Sequence, residues 1–323
     1  MIRWSDVMRT ACLATMALSA HAQTHYPTKP IRIVVPYFVG TPSDLAARML
    51  GQKFLEAWGK PVVIENVAGA SGNIGTERVA KANPDGYSLV LPGNAPLAIN
   101  PSLYLNLPFD PLKDFAPISQ VTLSASILAV QSSQTAKNVQ ELVALAKAQP
   151  GKLTYGTGGS GTPQHMAGEL LNTMAGIRLV HVPYKGPPPS LVDLIGGRLT
   201  AVFGISSVVL PLSRTDKVRA LAVTSLQRAG AAPDVPTMAE SGFPGFEATS
   251  WFALLAPAGT PPTIVRKIHG ETVKALAQPD LRARLTDLGM DVVGSTPEQL
   301  AAIMRAEIPK WAKVVKDSGA KLD

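Results

Sequence analysis

The chain has a single cysteine, Cys12, and it lies in an N-terminal stretch that we expect to be removed. A mature chain without cysteine excludes thiol catalysis and zinc–thiolate sites, and it suits an oxidising compartment. The sequence also lacks the Gly-Lys-Ser/Thr of a nucleotide P-loop, the HExxH of zinc enzymes and the Gly-x-Ser-x-Gly of hydrolases. No metal or cofactor is therefore expected.

Long runs of one charge are missing as well, although the formal net charge is +7. The basic residues are scattered and are not interleaved with aromatic residues, so the sequence does not predict nucleic-acid binding. A mild positive balance is compatible with an anionic ligand.

The N-terminus has the pattern of a secretory signal. Arg3 and Arg9 supply a positive region, residues 10–19 form a short apolar core, and Ala20-His21-Ala22 is an A-x-A cleavage site. The apolar run is too short for a permanent membrane anchor. We therefore expect residues 1–22 to be a signal peptide cleaved after Ala22 and the mature protein to be periplasmic.

Two stretches share a strand, a glycine-containing loop and a helix that starts at Gly-Thr-Pro. The first is Ile31–Phe54, with Gly40-Thr41-Pro42, and the second is Leu153–Met174, with Gly161-Thr162-Pro163. Gly259-Thr260-Pro261 also looks like a helix start, so Thr-Pro alone indicates a structural cap, and the functional interpretation depends on the glycine density and the preceding strands. Proline suits the first helical position, and the N-terminus of a helix attracts anions without any basic side chain. Two such helix starts facing one cleft would hold an anion from both sides.

Strands and helices alternate along most of the chain, which predicts an α/β protein with sheets covered by helices. The chain is expected to pass between two lobes twice, near Ser124 and near Glu247. The predicted lobes are residues 23–124 with 247–323, and residues 125–246. A bilobed chain with two crossover strands and a secretion signal is typical of a periplasmic binding protein that closes by a hinge.

Eight motifs, in order along almost the whole mature chain, resemble the Bug family of tripartite tricarboxylate transporter substrate-binding receptors. They are Tyr26–Tyr37, Pro84–Tyr87, Asn100–Tyr104, Lys113–Pro117, His181–Gly186, Leu221–Ser225, Ser250–Phe252 and Ala256–Pro261. The resemblance implies a type II periplasmic-binding fold and a monomeric receptor without enzyme activity. Such a receptor delivers a small carboxylate to a membrane permease.

In this family the loops of both lobes hold one carboxylate, largely through backbone N–H groups and ordered waters. Carried over by position, and with the end of the strand near residue 203 included, the resemblance implies a set of ligand-binding residues. They are Tyr37, Phe38, Val39, Gly40, Thr41, Ser43, Asp44, Asn94, Thr157, Gly158, Gly159, Ser160, Gly161, Thr162, His165, Phe203 and Gly204.

The sequence departs from the family pattern at two places. The first loop of the family commonly reads Gly-Gly before a small residue and Asp; here Thr41-Pro42 intervene, whereas Asp44 is kept. Gly204-Ile205 stands where many relatives carry Asp-Asn, and a carboxylate there could pair with the ammonium group of an amino acid. We therefore expect a di- or tricarboxylate or an aromatic carboxylate, with an aspartate or glutamate receptor as the alternative.

Several roles stay open at this point. Asp44 either binds ligand or stabilises the start of its helix. His165 either contacts ligand or fixes its loop, and Asn94 either contacts ligand or caps a turn. Ser160 and His165 could also suggest a nucleophile and a base, so an enzyme on the same fold is the less favoured alternative.

Overall fold

The computed structural model describes residues 26–320, so the predicted signal peptide and Cys12 lie outside the described residues. Eleven strands form two mixed sheets. The strands are β1 (Ile31–Val35), β2 (Val62–Asn66), β3 (Ser88–Val90), β4 (Phe115–Ser124), β5 (Ser126–Gln131), β6 (Thr154–Thr157), β7 (Val180–Pro183), β8 (Ala201–Ile205), β9 (Val218–Val223), β10 (Ser250–Pro257) and β11 (Asp291–Val292).

Helices cover both sheets. They are α1 (Pro42–Trp58), α2 (Asn73–Ala80), α3 (Asn100–Leu103), α4 (Val139–Ala148), α5 (Pro163–Ala175), α6 (Pro187–Ile195), α7 (Ser206–Ser213), α8 (Pro262–Leu276), α9 (Pro279–Asp287) and α10 (Pro297–Ser318). A 3-10 turn at Ala70–Gly72 and a π-helical turn at Ala95–Ile99 precede α2 and α3. The sequence did not predict these two turns, α3, α7 or β11.

The first sheet has the strand order β11-β4-β10-β3-β1-β2. Strand β1 pairs in parallel with β2 and β3, as the strand–helix alternation predicted, whereas β10 runs antiparallel to β3 and β4. Ile31 and Ile33 are fully buried and belong to one apolar cluster with Leu50 and Phe54 of α1. This packing fixes where α1 begins relative to the end of β1.

The second sheet has the order β7-β6-β8-β5-β9. Strand β6 pairs in parallel with β7 and β8, and β5 runs antiparallel to β8 and β9. Tyr155 of β6 is fully buried together with Met166 and Leu171 of α5. The strand–loop–helix unit of each sheet is therefore anchored by a buried apolar cluster on both sides of its loop.

The chain passes from the first sheet to the second between Ser124 and Ser126, and it returns between Val223 and Ser250. The two predicted crossings are thus confirmed, and so is the bilobed α/β architecture. The exact lobe boundaries stay a prediction.

The last helix contacts both sheets, although the predicted lobes place residues 247–323 in the first. Leu300 and Met304 of α10 pack in a cluster with strands of the first sheet, whereas Trp311 and Val314 pack in the core of the second. Between these pairs, Glu307 Oε2 accepts hydrogen bonds from Nε1 of Trp251 (3.0 Å) and of Trp311 (3.2 Å). The physical reason is length, because 22 residues make a helix of about 33 Å, roughly the diameter of a small domain.

Candidate functional site

A cavity of about 320 Å³ is lined by residues from both sheets. This volume is at the lower end of the range for small-molecule sites. Both Gly-Thr-Pro turns reach it, through Thr41 and Pro42 on one side and through Gly161, Thr162 and Pro163 on the other. The two helix starts that the sequence singled out therefore face one cavity.

The first loop contributes part of its length to the cavity. Tyr37 lines it, and its hydroxyl accepts a hydrogen bond from the Gly93 N–H at 2.9 Å. Burial raises the pKa of Tyr37 to about 12, although that bond lowers it. Phe38 and Val39 lie instead on the outside of the loop, with 76% and 71% of their surface exposed.

Asp44 is buried and, among the described residues, lies outside the cavity lining. Its carboxylate accepts hydrogen bonds from the Gly40 N–H (2.9 Å), from Arg48 Nε (3.1 Å) and from Asn66 Nδ2 (3.0 Å). Burial alone would raise the pKa of Asp44, but these three donors hold it below its usual value. The geometry therefore favours the structural role, since Asp44 closes the first loop. Ser43 is also buried, and its hydroxyl donates to the Leu91 carbonyl at 2.6 Å.

The second loop is closed by uncharged groups. The Thr162 hydroxyl accepts from the His165 N–H at 3.2 Å and donates to the Gly159 carbonyl at 2.7 Å. The Gly161 N–H donates to His165 Nδ1 at 3.1 Å, and the Gly159 N–H donates to the Thr157 hydroxyl at 3.2 Å. Two backbone donors that the sequence assigned to the ligand thus hydrogen-bond within the loop.

His165 lies behind this loop and outside the cavity lining of the described residues. Its ring stacks on that of His181, with the centroids 3.9 Å apart and the planes 13° apart. His181 Nε2 is 2.7 Å from the Thr157 hydroxyl, and His165 Nε2 is 3.8 Å from the Glu169 carboxylate. The arrangement favours the loop-fixing role of His165, and neither Ser160 nor His165 is among the cavity-lining residues that the structure describes.

The other predicted site residues also fall into two groups, those that line the cavity and those that do not. Asn94 is buried, lines the cavity and donates from Nδ2 to the Thr249 carbonyl at 2.9 Å. Of the residues that the structure describes, Phe203 and Gly204 lie outside the lining, and so do Gly158 and Ser160. Phe203 is part of the core of the second sheet.

Sequence reasoning missed several lining residues. Ser71 follows Ala70 in the 3-10 turn, and both have positive φ values, 46° for Ala70 and 54° for Ser71. The glycine-rich loop Asn66–Gly75 was visible in the sequence and could have pointed to Ser71. Gln164, beside Pro163, also lines the cavity, and its Nε2 lies 3.0 Å from the Ser126 hydroxyl and 3.2 Å from that of Ser250.

Gly93 and Ala95, which flank Asn94, were also missed, and other missed residues lie where the chain crosses between sheets. Ser124 is the last residue of β4, Ser250 is the first residue of β10, and Ile205 is the last residue of β8. They line the cavity with Phe252, Leu288 and Met290. No sequence motif marked the last two, because their proximity to the site depends on the return of the C-terminal segment to the first sheet.

The cavity is uncharged within the described part of the chain, since no Asp, Glu, Lys or Arg is among its lining residues. An anion would therefore be bound by neutral donors and by the helix N-termini. Within residues 26–320, no group of three or more His, Cys, Asp or Glu side chains is arranged to hold a metal ion. No helix in that range is long and apolar enough to cross a membrane.

Comparison with known proteins gives a consistent result. A family model described as "Tripartite tricarboxylate transporter family receptor" matches residues 46–320. Protein BugT of Bordetella pertussis is 36% identical over 312 residues, which cover 96% of this chain and 96% of BugT.

Two similar solved structures contain a carboxylate ligand. R. palustris Rpa4515 with adipate is 34% identical and has a TM-score of 0.81, and the match covers 92% of this chain and 100% of the Rpa4515 chain. MatC from Rhodopseudomonas palustris with bound malate is 32% identical, has a TM-score of 0.77 and covers 90% and 100% respectively.

Proposed function

The chain belongs to the tripartite tricarboxylate transporter receptor family, and we propose that it is a solute-binding receptor that captures a small carboxylate between its two lobes. One observation carries this proposal: the N-termini of α1 and α5 border the same uncharged cavity. The partial positive charge of each helix start favours an anion. The adipate and malate bound to two relatives support the same ligand class.

The ligand we propose is a carboxylate without an ammonium group. An ammonium in a closed cleft needs a charged or strongly accepting partner, because an unpaired buried charge costs several kcal/mol. None of the described lining residues is an acid, and the carboxylate of Asp44 is already bonded to three donors. This argues against the alternative of an aspartate or glutamate receptor.

Direct contacts are proposed for the predicted residues that line the cavity, namely Tyr37, Thr41, Asn94, Gly161 and Thr162. The others would act indirectly, by holding the loops. Phe38 and Val39, on the outer face of the first loop, would reach a ligand only if that loop moves when the lobes close.

The proposed location and partners follow from the predicted signal peptide and the family. The receptor would act as a monomer in the periplasm and pass its ligand to the membrane permease of a secondary transporter. N-terminal sequencing of the exported protein should find a start at Gln23. Retention of Met1 would contradict this.

Calorimetry tests the ligand class. Succinate, adipate, citrate, terephthalate, aspartate and glutamate should be titrated in one buffer. We expect the tightest binder to be one of the four acids that lack an ammonium group. Tenfold tighter binding of aspartate or glutamate, about 1.4 kcal/mol, would favour the amino-acid alternative. Recovery of the ligand unchanged after incubation separates a receptor from an enzyme.

A further inference from the structure

The cavity has an apolar wall at the crossing between the sheets, made of Ile205, Leu288 and Met290. We infer that this wall selects carboxylates whose body is apolar over polar ones of similar size. The inference rests on the proposed function, because it concerns the part of the ligand that extends away from the two helix starts.

The wall is built into the crossing. The Ser124 hydroxyl donates to the Gly289 carbonyl at 2.9 Å, which holds the turn between Leu288 and Met290 against the end of β4. Gly289 has φ +74°, and a Cβ there would lie 3.3 Å from the Ser207 nitrogen. This turn therefore packs closely against the start of α7, directly after Ile205.

Ile205 occupies a position where a polar residue would be expected. It is the N-cap of α7, and Ser, Thr, Asp and Asn are preferred there because their side chains accept a hydrogen bond from the helix. Isoleucine has no polar side-chain atom and cannot do so. We attribute the apolar side chain at this position to its place in the cavity wall, which it forms together with Leu288 and Met290.

The polar side chains near the wall already hydrogen-bond within the protein. Ser124 donates to Gly289, and the amide nitrogen of Gln164 is bonded to the hydroxyls of Ser126 and Ser250. A ligand hydroxyl or second charge placed against Ile205, Leu288 and Met290 would lose its hydrogen bonds to water without replacement. An alkyl or aromatic body would gain from leaving water.

The first test is calorimetry of the purified protein with hexanoate, benzoate, succinate and malate. Succinate and malate differ by one hydroxyl, so they measure the cost of a polar group on otherwise equal bodies. We expect hexanoate or benzoate to bind at least tenfold tighter than malate, and succinate to bind tighter than malate. Malate binding as tightly as the apolar acids would overturn this inference while the proposed function stands. Failure of every carboxylate, including adipate and citrate, would overturn both.

The second test changes the wall. Ile205→Thr should weaken hexanoate and benzoate about tenfold and change malate less than threefold, since only the apolar body contacts the wall. Val208→Thr, a similar change at a half-buried α7 residue outside the lining of the described chain, is the control and should leave all four affinities within twofold. If Ile205→Thr does not fold, Leu288→Gln tests the same selection at another half-buried position of the wall. An equal loss for hexanoate and malate in the folded variant would contradict selection by the wall.

Discussion

The two Gly-Thr-Pro turns begin with the same three residues but are closed by different chemistry. In the first, a buried carboxylate, Asp44, reaches back to the Gly40 N–H and pairs with Arg48. In the second, a neutral imidazole nitrogen of His165 accepts from the Gly161 N–H. The same backbone shape is thus stabilised once by a charge and once by a buried uncharged network, so the two loops should respond differently to mutation and to pH.

The largest expected difference concerns binding. Gly40 and Gly161 both have positive φ, +83° and +73°, which strains a β-branched residue. Only Gly161 lines the cavity, whereas a Cβ on Gly40 would meet no described atom within 4 Å. Gly161→Val should therefore weaken the tightest carboxylate about a hundredfold, or about 2.8 kcal/mol, and Gly40→Val less than threefold.

Calorimetry of both variants makes this measurement, and circular dichroism establishes that each is folded. Equal losses for the two glycines would mean that the loops contribute alike and that the cavity lining does not decide affinity.

The second difference is in stability. All three partners of Asp44 are hydrogen-bond donors. In Asp44→Asn the amide NH₂ is itself a donor and cannot accept from them, so the change should destabilise the fold by about 2 kcal/mol. His165→Asn keeps an acceptor for the Gly161 N–H but loses the stacking on His181, worth about 1 kcal/mol. Urea unfolding at pH 7 compares the two. A larger cost for His165→Asn would reverse our ranking of the loops.

The third difference is in pH dependence, and the two loops should respond in opposite directions. The pKa of Asp44 is lowered on folding, because hydrogen bonds from Arg48, Gly40 and Asn66 outweigh the rise that burial causes. Its stabilisation is present above the unfolded pKa, near 4, and is lost as the pH falls through the lower folded pKa. The advantage of wild type over Asp44→Asn should therefore shrink between pH 5 and pH 3.

Behind the second loop, burial raises the pKa of Glu169, although hydrogen bonds from Tyr155 and Asn172 lower it. The stability that protonated Glu169 contributes to the folded protein is fully present below the unfolded pKa, near 4.3. It is lost as the pH rises through the raised folded pKa. Relative to Glu169→Gln, wild type should lose stability from pH 4 to pH 7. Each slope is at most about 1.4 kcal/mol per pH unit. Parallel pH profiles for the two pairs of proteins would contradict the comparison.

Much of this fold was predictable because its causes are local. Buried β-branched strands such as Ile31–Val35, prolines at first helical positions and the glycine-rich loops all act over a few residues. The family assignment from the eight motifs is confirmed by the match over residues 46–320. The two crossings were visible as well, because the apolar strand pattern breaks near Ser124 and a loop-rich stretch precedes the strand that begins at Ser250.

The orientation of site side chains was not predictable in the same way. Asp44 turns away from the cavity because Asn66, 22 residues further on, meets it, and His165 of α5 is held by His181, which belongs to strand β7. Leu288 and Met290 reach the site only because the chain returns to the first sheet. Such contacts join distant segments, and no local pattern records them.

The smallest expected difference is at the two threonines. Thr162 caps α5, since its hydroxyl accepts from the His165 N–H, whereas the Thr41 hydroxyl donates to the Phe38 carbonyl at 2.8 Å. Thr162→Ala should cost about 1 kcal/mol of stability, as loss of a cap does. Thr41→Ala should cost no more than about 0.5 kcal/mol, the lower value for a single hydrogen bond.

Both threonines line the cavity, so the two alanine variants separate stability from binding. If each hydroxyl turns from its carbonyl partner to donate to the bound carboxylate, affinity should fall by a similar factor in both variants, although only Thr162→Ala lowers the unfolding midpoint appreciably. Thr162→Ser retains the capping oxygen and should restore stability. Should affinity fall only in Thr162→Ala, the Thr41 hydroxyl would not contact the anion, and the direct contact proposed for Thr41 would be limited to its backbone.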